Sequence, residues 1–362
     1  MTSNFRKPQF IQWPDLPMPT ARMACVGYVL LIIYASLYPF NFNLQVGVEQ
    51  FEWFWAPIPR YITSFDIFTN ILGYVPLGFL LVFALYPRSR GYQALWIALL
   101  VGGLLSGVLE SLQTWLMSRI PSNVDWWANL GGVAIGALLA MPMDPRWLSG
   151  TAFQRKRHEW FGQRSSVLIL ILAFPFAQIY PQTAWLAMGD LPDWLWSPKL
   201  WRVDVNFASL EIATTMMAWL AASLIIALAM RDSAPRYRLL SVLLIMTVLM
   251  KALFAGMQFG IGRSFVWLTP AALWGMIFSS IVLMAILQLK RRYIYLLAIL
   301  AFVCVLILVN LFPKNPYFLV ALQEWRQGRL IHFNSLLSWL AWLWPLLAAL
   351  SLLKGLKTKP SI

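Results

Sequence analysis

The chain has 362 residues, of which 60% are hydrophobic and only 12% are charged, and its formal net charge is +14 at pH 7. Soluble globular proteins are about half apolar and about a quarter charged, so this composition excludes an ordinary soluble domain. The apolar residues form runs of the length that a helix needs to cross about 30 Å of hydrocarbon. They do not alternate with polar residues, as the strands of a membrane barrel do. The sequence therefore predicts an all-α fold, a polytopic bundle of transmembrane helices.

Ten spans are predicted, and the loops between them differ in basic charge. Lysine and arginine concentrate in alternate loops and in both terminal segments, which the positive-inside rule assigns to the cytoplasm. Both termini are therefore predicted to be cytoplasmic. The net positive charge then points to anionic membrane lipids as its partner and requires no nucleic acid. The predicted spans cover roughly residues 21–40, 67–86, 92–116, 126–143, 166–187, 208–230, 239–260, 267–289, 293–312 and 334–353.

The sequence carries no motif for a cofactor or a metal. It has only two histidines, and its two cysteines, Cys25 and Cys304, both fall inside predicted spans as packed thiols, so there is no credible metal set. Neither a phosphate-binding loop, a dinucleotide fingerprint nor a Gly-x-Ser-x-Gly nucleophile turn is present. We therefore predict no cofactor and no metal ligands.

One polar pattern occurs twice, each time where a predicted span begins. In both copies an Asp is followed four residues later by an Asn and seven residues later by a Gly. The pairs are Asp66 with Asn70, and Asp125 with Asn129. Residues four apart share one face of a helix. A carboxylate inside a membrane costs about 2.5–3.5 kcal/mol at mid-span, so repeated polar faces indicate a site.

Two more polar residues share a helix face in the third predicted span. Glu110 and Gln113 are three residues apart. Arg119 follows in a short outer loop, and its planar guanidinium suits a carboxylate or a phosphate. The predicted topology brings all these side chains into one layer near the outer face. The candidates for catalysis are Glu110, Asp125 and Asp66, and the candidates for substrate binding are Asn70, Gln113, Arg119 and Asn129.

Structural roles are an open alternative for several of these residues. Thr63-x-x-Asp66 and Ser122-x-x-Asp125 both have the form of a capping box at a helix start. An Asp in the first turn also complements the helix dipole. For the two asparagines the alternative is hydrogen bonding between helices, worth about 0.6 kcal/mol on average in membrane proteins. Capping does not explain the polar pair of the third span.

A basic stretch at residues 144–165 separates two predicted domains. Residues 1–145 would form a four-helix membrane domain, and residues 146–362 a six-helix membrane domain. Spans 5–8 are hypothesised to be a degenerate second copy of spans 1–4, followed by two extra helices. The two hypothesised copies are aligned on Tyr-Pro pairs, which end at Pro39 and at Pro181. Chance similarity between apolar helices is the alternative.

The ordered set of motifs over residues of about 20–145 resembles the VanZ-like membrane family, named for a teicoplanin-resistance protein. The resemblance implies a multi-pass protein of the bacterial inner (cytoplasmic) membrane with a role in the cell envelope. It implies no particular reaction, and the length of this chain argues against a simple transfer of glycopeptide resistance. The residues that carry it are Leu37-Tyr38-Pro39-Phe40, Asp66, Asn70, Pro76-Leu77-Gly78, Glu110-x-x-Gln113, Arg119, Asp125, Asn129 and Gly132.

Three functional hypotheses follow. The first is an outer-leaflet site for a lipid-linked envelope intermediate, such as a polyprenyl-phosphate-linked glycan. There Arg119 would hold phosphate, and Glu110 or Asp125 would serve as a general base. The second is a structural or assembly partner in which the polar layer only joins helices. The third is a transporter or flippase, which predicts polar residues across the membrane depth rather than at one side.

Overall fold

The computed structural model describes residues 18–43, 51–58, 63–117, 119–162, 167–191, 206–312, 316–327 and 331–357. Within these ranges the regular secondary structure consists of fourteen α-helices, one 3₁₀ turn and an isolated β-bridge. The predicted all-α fold is confirmed. The chain divides into two compact units, residues 1–155 and 156–362.

The first unit contains four long helices and three short ones. Its core forms where α3 and α5 pack along each other, with α1 and α4 against them. The helices are α1 (Pro19–Leu37), α2 (Glu52–Trp55), α3 (Ser64–Leu85), α4 (Gly91–Gln113), α5 (Asn123–Ala140), α6 (Pro145–Leu148) and α7 (Thr151–Phe161), which crosses the boundary between the units.

Glycines bring α3 and α5 together at backbone distance. A Cβ atom on Gly132 or Gly136 of α5 would overlap a backbone carbonyl of α3. From the side of α3, a Cβ atom on Gly78 would likewise overlap the carbonyl of Val133 on α5. Small residues allow this close approach between membrane helices. The tight α3–α5 pair therefore places the starts of both helices side by side.

The second unit is built around one central helix. Helix α9 (Phe207–Ala229) is buried along most of its length, and α11 and α12 pack against it. Its other helices are α8 (Val167–Ala177), α10 (Arg236–Phe259), α11 (Pro270–Ile286), α12 (Arg291–Leu311), α13 (Pro316–Gln327) and α14 (Ile331–Lys357), and the 3₁₀ turn lies at Ile261–Arg263.

Seven helices in the described part of the chain are long and apolar enough to cross a membrane: α1, α3, α4, α9, α10, α12 and α14. They match seven of the ten predicted spans, and the predicted polytopic helical bundle is confirmed. The other three predicted spans correspond to α5, α8 and α11. Helices α8 and α11 are apolar but shorter.

The predicted span at 166–187 differs most from the structure. Helix α8 ends at Ala177 after 11 residues, a length of about 16 Å, and residues 178–191 continue without a helix. Pro181 disfavours continuation of the helix, because a proline ring clashes with the carbonyl four residues earlier and offers no N–H. A proline also disfavours helical geometry at the residue before it. The span is therefore a short helix followed by an irregular, largely buried segment.

Three sequence-based expectations stay predictions. The expected domain boundary at residue 145 lies ten residues before the division between the units, which falls inside α7. The hypothesis of a degenerate internal duplication and the cytoplasmic placement of both termini are likewise untested.

Candidate functional site

All seven predicted site residues lie at one end of the first unit. Helices α3 and α5 begin at this end, and α1 and α4 finish there. Three side chains, those of Glu110, Gln113 and Asn129, are buried. Asn70, Arg119 and Asp125 are partly exposed, and Asp66 is exposed. We call these seven residues the polar layer.

Asp66 caps its own helix. Its carboxylate accepts hydrogen bonds from the Thr63 hydroxyl at 2.6 Å and from the Thr63 backbone N–H at 3.3 Å. In return, the Asp66 N–H donates to the Thr63 hydroxyl at 3.2 Å. This reciprocal arrangement is a complete capping box. The capping role that the sequence left open for Asp66 is therefore present in the structure.

Asp125, the corresponding residue of the second copy, bonds to another helix instead. Its Oδ1 accepts a hydrogen bond of 2.7 Å from Nδ2 of Asn70 on α3. The Ser122 hydroxyl caps α5 by accepting from the Val124 N–H at 3.2 Å. The aspartate of the second copy is thus used to join α3 to α5 rather than to complete a box.

Glu110 completes the start of α5 from the neighbouring helix α4. Its Oε2 accepts a buried hydrogen bond of 3.0 Å from the backbone N–H of Ser122. In a capping box this bond goes to an acidic or amide side chain three residues on in the same helix. Because the Glu110 carboxylate already accepts from the Ser122 N–H, the Asp125 carboxylate is available to accept from Asn70.

Two side chains bond to the last turn of α1. Gln113 donates through Nε2 to the carbonyl of Ser36 at 3.2 Å, and Arg119 donates through Nη2 to the carbonyl of Ala35 at 3.1 Å. Such carbonyls lack partners within their own helix, so these donors satisfy them. Among the described residues, no carboxylate lies within ion-pair distance, 4.0 Å, of Arg119.

The buried Asn129 joins α5 to α4. Its Nδ2 donates to the hydroxyl of Ser106 on α4 at 3.0 Å. Its Oδ1 is buried and has no hydrogen-bond partner among the described atoms. Ser106 was not predicted from the sequence, although it stands four residues before Glu110 and so on the same helix face.

The part of the chain that holds this site has known relatives. Residues 20–144 match the model of the VanZ/LLP1 family. The expected VanZ-like resemblance over about residues 20–145 is confirmed. The match spans about a third of the chain and includes all seven residues of the polar layer. Neither a curated protein nor a solved structure matches the chain significantly.

With its membrane-length helices, the chain is an integral membrane protein with a VanZ-like N-terminal part. The polar layer of this VanZ-like part combines three carboxylates and three amides with one guanidinium. Carboxylates only accept hydrogen bonds when ionised, so the layer is rich in acceptors that suit hydroxyl donors. No group of three or more His, Cys, Asp or Glu residues is placed to hold a metal in the described ranges.

Proposed function

We propose that this VanZ-like protein works in the bacterial cell envelope, as a multi-pass protein of the inner membrane. Its polar layer would face outward and bind the headgroup of a lipid-linked envelope intermediate, such as a polyprenyl-phosphate-linked glycan. The observation that carries the proposal is the buried Oδ1 of Asn129, which has no hydrogen-bond partner in the described part of the chain. A buried acceptor without a partner costs about 1–3 kcal/mol, and a ligand hydroxyl would supply the missing donor.

Other residues of the layer retain capacity for a ligand. The guanidinium of Arg119 has five N–H donors, and its hydrogen bond to Ala35 uses one of them. The remaining donors suit a phosphate, which arginine binds through paired hydrogen bonds. A reaction at this site would use Glu110 or Asp125 as a general base. Asp66 is held in its capping box and would contribute least.

A structural role is the second candidate, and a specific observation favours it. Each of the seven side chains makes a hydrogen bond within the protein, and several of these bonds join different helices. On this alternative the polar layer only fixes α1, α3, α4 and α5 relative to each other. The polar layer does not favour a transporter, because it occupies one end of the helices.

Native mass spectrometry of the full-length protein from bacterial membranes separates the two candidates. We expect wild type to carry a bound lipid with the mass of a polyprenyl-phosphate-linked intermediate. Arg119→Ala and Asn129→Leu are expected to lose most of it. Arg22→Ala is the matched control, because Arg22 also donates to a helix-end carbonyl, that of Ala84, at 3.2 Å.

The melting temperatures of the same variants complete the test. Loss of lipid with a melting temperature within a few degrees of the control supports the ligand site. Wild type without any envelope lipid contradicts it. A large fall in melting temperature with unchanged lipid content supports the structural role instead.

A further inference from the structure

The irregular segment after α8 brings backbone polar groups into the interior of the second unit. Gln178, Trp185 and Leu186 in this segment are all at most 3% exposed. Non-helical backbone at membrane depth is tolerated only where it is buried in protein or lines a cavity. In transporters, helices broken in this way often form binding sites for ions and substrates. The segment is therefore a candidate ligand-binding region.

Lys251 of α10 faces this segment and is buried. Its ammonium donates to the backbone carbonyl of Gln178 at 2.8 Å and lies 5.6 Å from the centre of the Trp267 ring. Lys251 stands eight residues before the end of α10, about 12 Å along the helix. In the described ranges no carboxylate lies within 4.0 Å of it. An ionisable residue inside a membrane span indicates a functional site by default.

Two side chains of the irregular segment lack hydrogen-bond partners. The Gln178 side chain is 0% exposed, and neither of its polar atoms has a partner among the described residues. The indole N–H of Trp185 is likewise unsatisfied, and its ring lies 4.9 Å from that of Trp267. The unpaired amide thus belongs to the residue whose backbone carbonyl accepts from Lys251, and the unpaired indole lies in the same segment. Buried polar groups are normally paired, so the Gln178 amide and the Trp185 indole are exceptions that require an explanation.

We propose that Lys251 and Gln178 bind an anionic phosphate group in the second unit. A phosphate has several strong acceptor oxygens, which match the remaining ammonium protons and the amide N–H. It also supplies the negative charge that the described residues around Lys251 do not. The phosphate belongs either to a lipid headgroup or to free phosphate. This site lies outside the VanZ-like part and does not depend on the function proposed for the polar layer.

Thermal unfolding of the full-length protein in neutral detergent tests the proposal. Phosphatidylglycerol and inorganic phosphate are added separately, with phosphatidylcholine as the uncharged lipid control. At least one of the two anions is expected to raise the melting temperature of wild type. In Lys251→Met and Gln178→Leu the affinity for it is expected to fall about tenfold or more. Gln178→Leu keeps the backbone carbonyl, so it removes only the amide.

Two further variants separate binding from stability. Lys290→Met removes the same charge from an exposed position between α11 and α12 and is expected to respond like wild type. Lys251→Arg keeps the charge and is expected to recover part of the response if Lys251→Met does not fold. A response to phosphatidylglycerol alone identifies a lipid headgroup, and a response to phosphate alone identifies the free ion. No response to either anion, or equal responses in wild type and the Gln178 variant, overturns the proposal.

Discussion

At the residue scale, the two Asp-x3-Asn copies show that one motif serves two purposes. Asp66 closes a box with Thr63 on its own helix, whereas Asp125 accepts from Asn70 across the α3–α5 contact. The difference arises because Glu110 already satisfies the N–H of Ser122 at the start of α5. At the start of α5 the neighbouring helix α4 thus supplies the acceptor that Asp66 supplies within α3.

The Asn70–Asp125 hydrogen bond can be measured by a double-mutant cycle. Asn70→Ala, Asp125→Ala and the double variant are expected to give a coupling energy of about 0.6–2 kcal/mol in unfolding experiments. The Asp66–Asn70 pair is the control. These residues are four apart on one helix but make no hydrogen bond to each other, so their coupling should be near zero. Equal coupling in both pairs would contradict the assigned partners.

At the scale of elements, the α3–α5 pair depends on the absence of side chains at its contact. Adjacent glycines on α5 differ sharply in their surroundings. A Cβ atom on Gly132 would overlap the carbonyl of Ile71, whereas one on Gly131 would meet no atom within 4 Å. Of these two adjacent glycines, only Gly132 should therefore affect the packing of the two helices and, with it, the position of the polar layer.

Alanine substitutions at these two glycines test the packing. Gly132→Ala is expected to destabilise the protein by about 1–3 kcal/mol, because the helices must separate to relieve the overlap. Gly131→Ala is expected to be neutral or to stabilise by up to about 1 kcal/mol, since alanine favours a helix more than glycine does. Thermal unfolding in detergent measures both. Similar losses in the two variants would mean that the close approach of α3 and α5 is not the cause.

At the scale of the whole molecule, the distribution of basic residues predicts which side of the membrane each connection faces. The connection between α4 and α5 is predicted to lie outside, and the basic stretch that contains α7 inside. The proposed outer-leaflet site depends on this orientation. The length and hydropathy of a helix are the same in either direction, so they do not decide the orientation.

Cysteine labelling in spheroplasts tests the orientation. In a background with Cys25→Ala and Cys304→Ala, a membrane-impermeant maleimide is expected to label Ile120→Cys without permeabilisation. Arg155→Cys is expected to react only after permeabilisation. Both native residues are exposed, Ile120 at 86%. The reverse pattern would place the polar layer on the cytoplasmic side and contradict the proposed outer-leaflet ligand.

Composition and hydropathy alone determined that this is a helical membrane protein. A helix surrounded by lipid must have an apolar surface and must satisfy its own backbone hydrogen bonds. The order of the polar motifs was sufficient to identify the VanZ-like part, since it depends only on spacing along the chain. The sequence also contained the signal for the break after α8, Pro181, but the length of the apolar run concealed it.

The tertiary structure alone decided what each polar residue contacts. Two equal motifs, around Asp66 and Asp125, acquired different partners because Glu110 reaches only one of the two helix starts. Lys251 became notable only when it proved to donate to the backbone of Gln178, about 70 residues away, whose side chain has no partner among the described residues. Hydrogen-bond partners of this kind depend on which helices pack together. Residues far apart in the chain decide that packing, and spacing along one helix cannot reveal it.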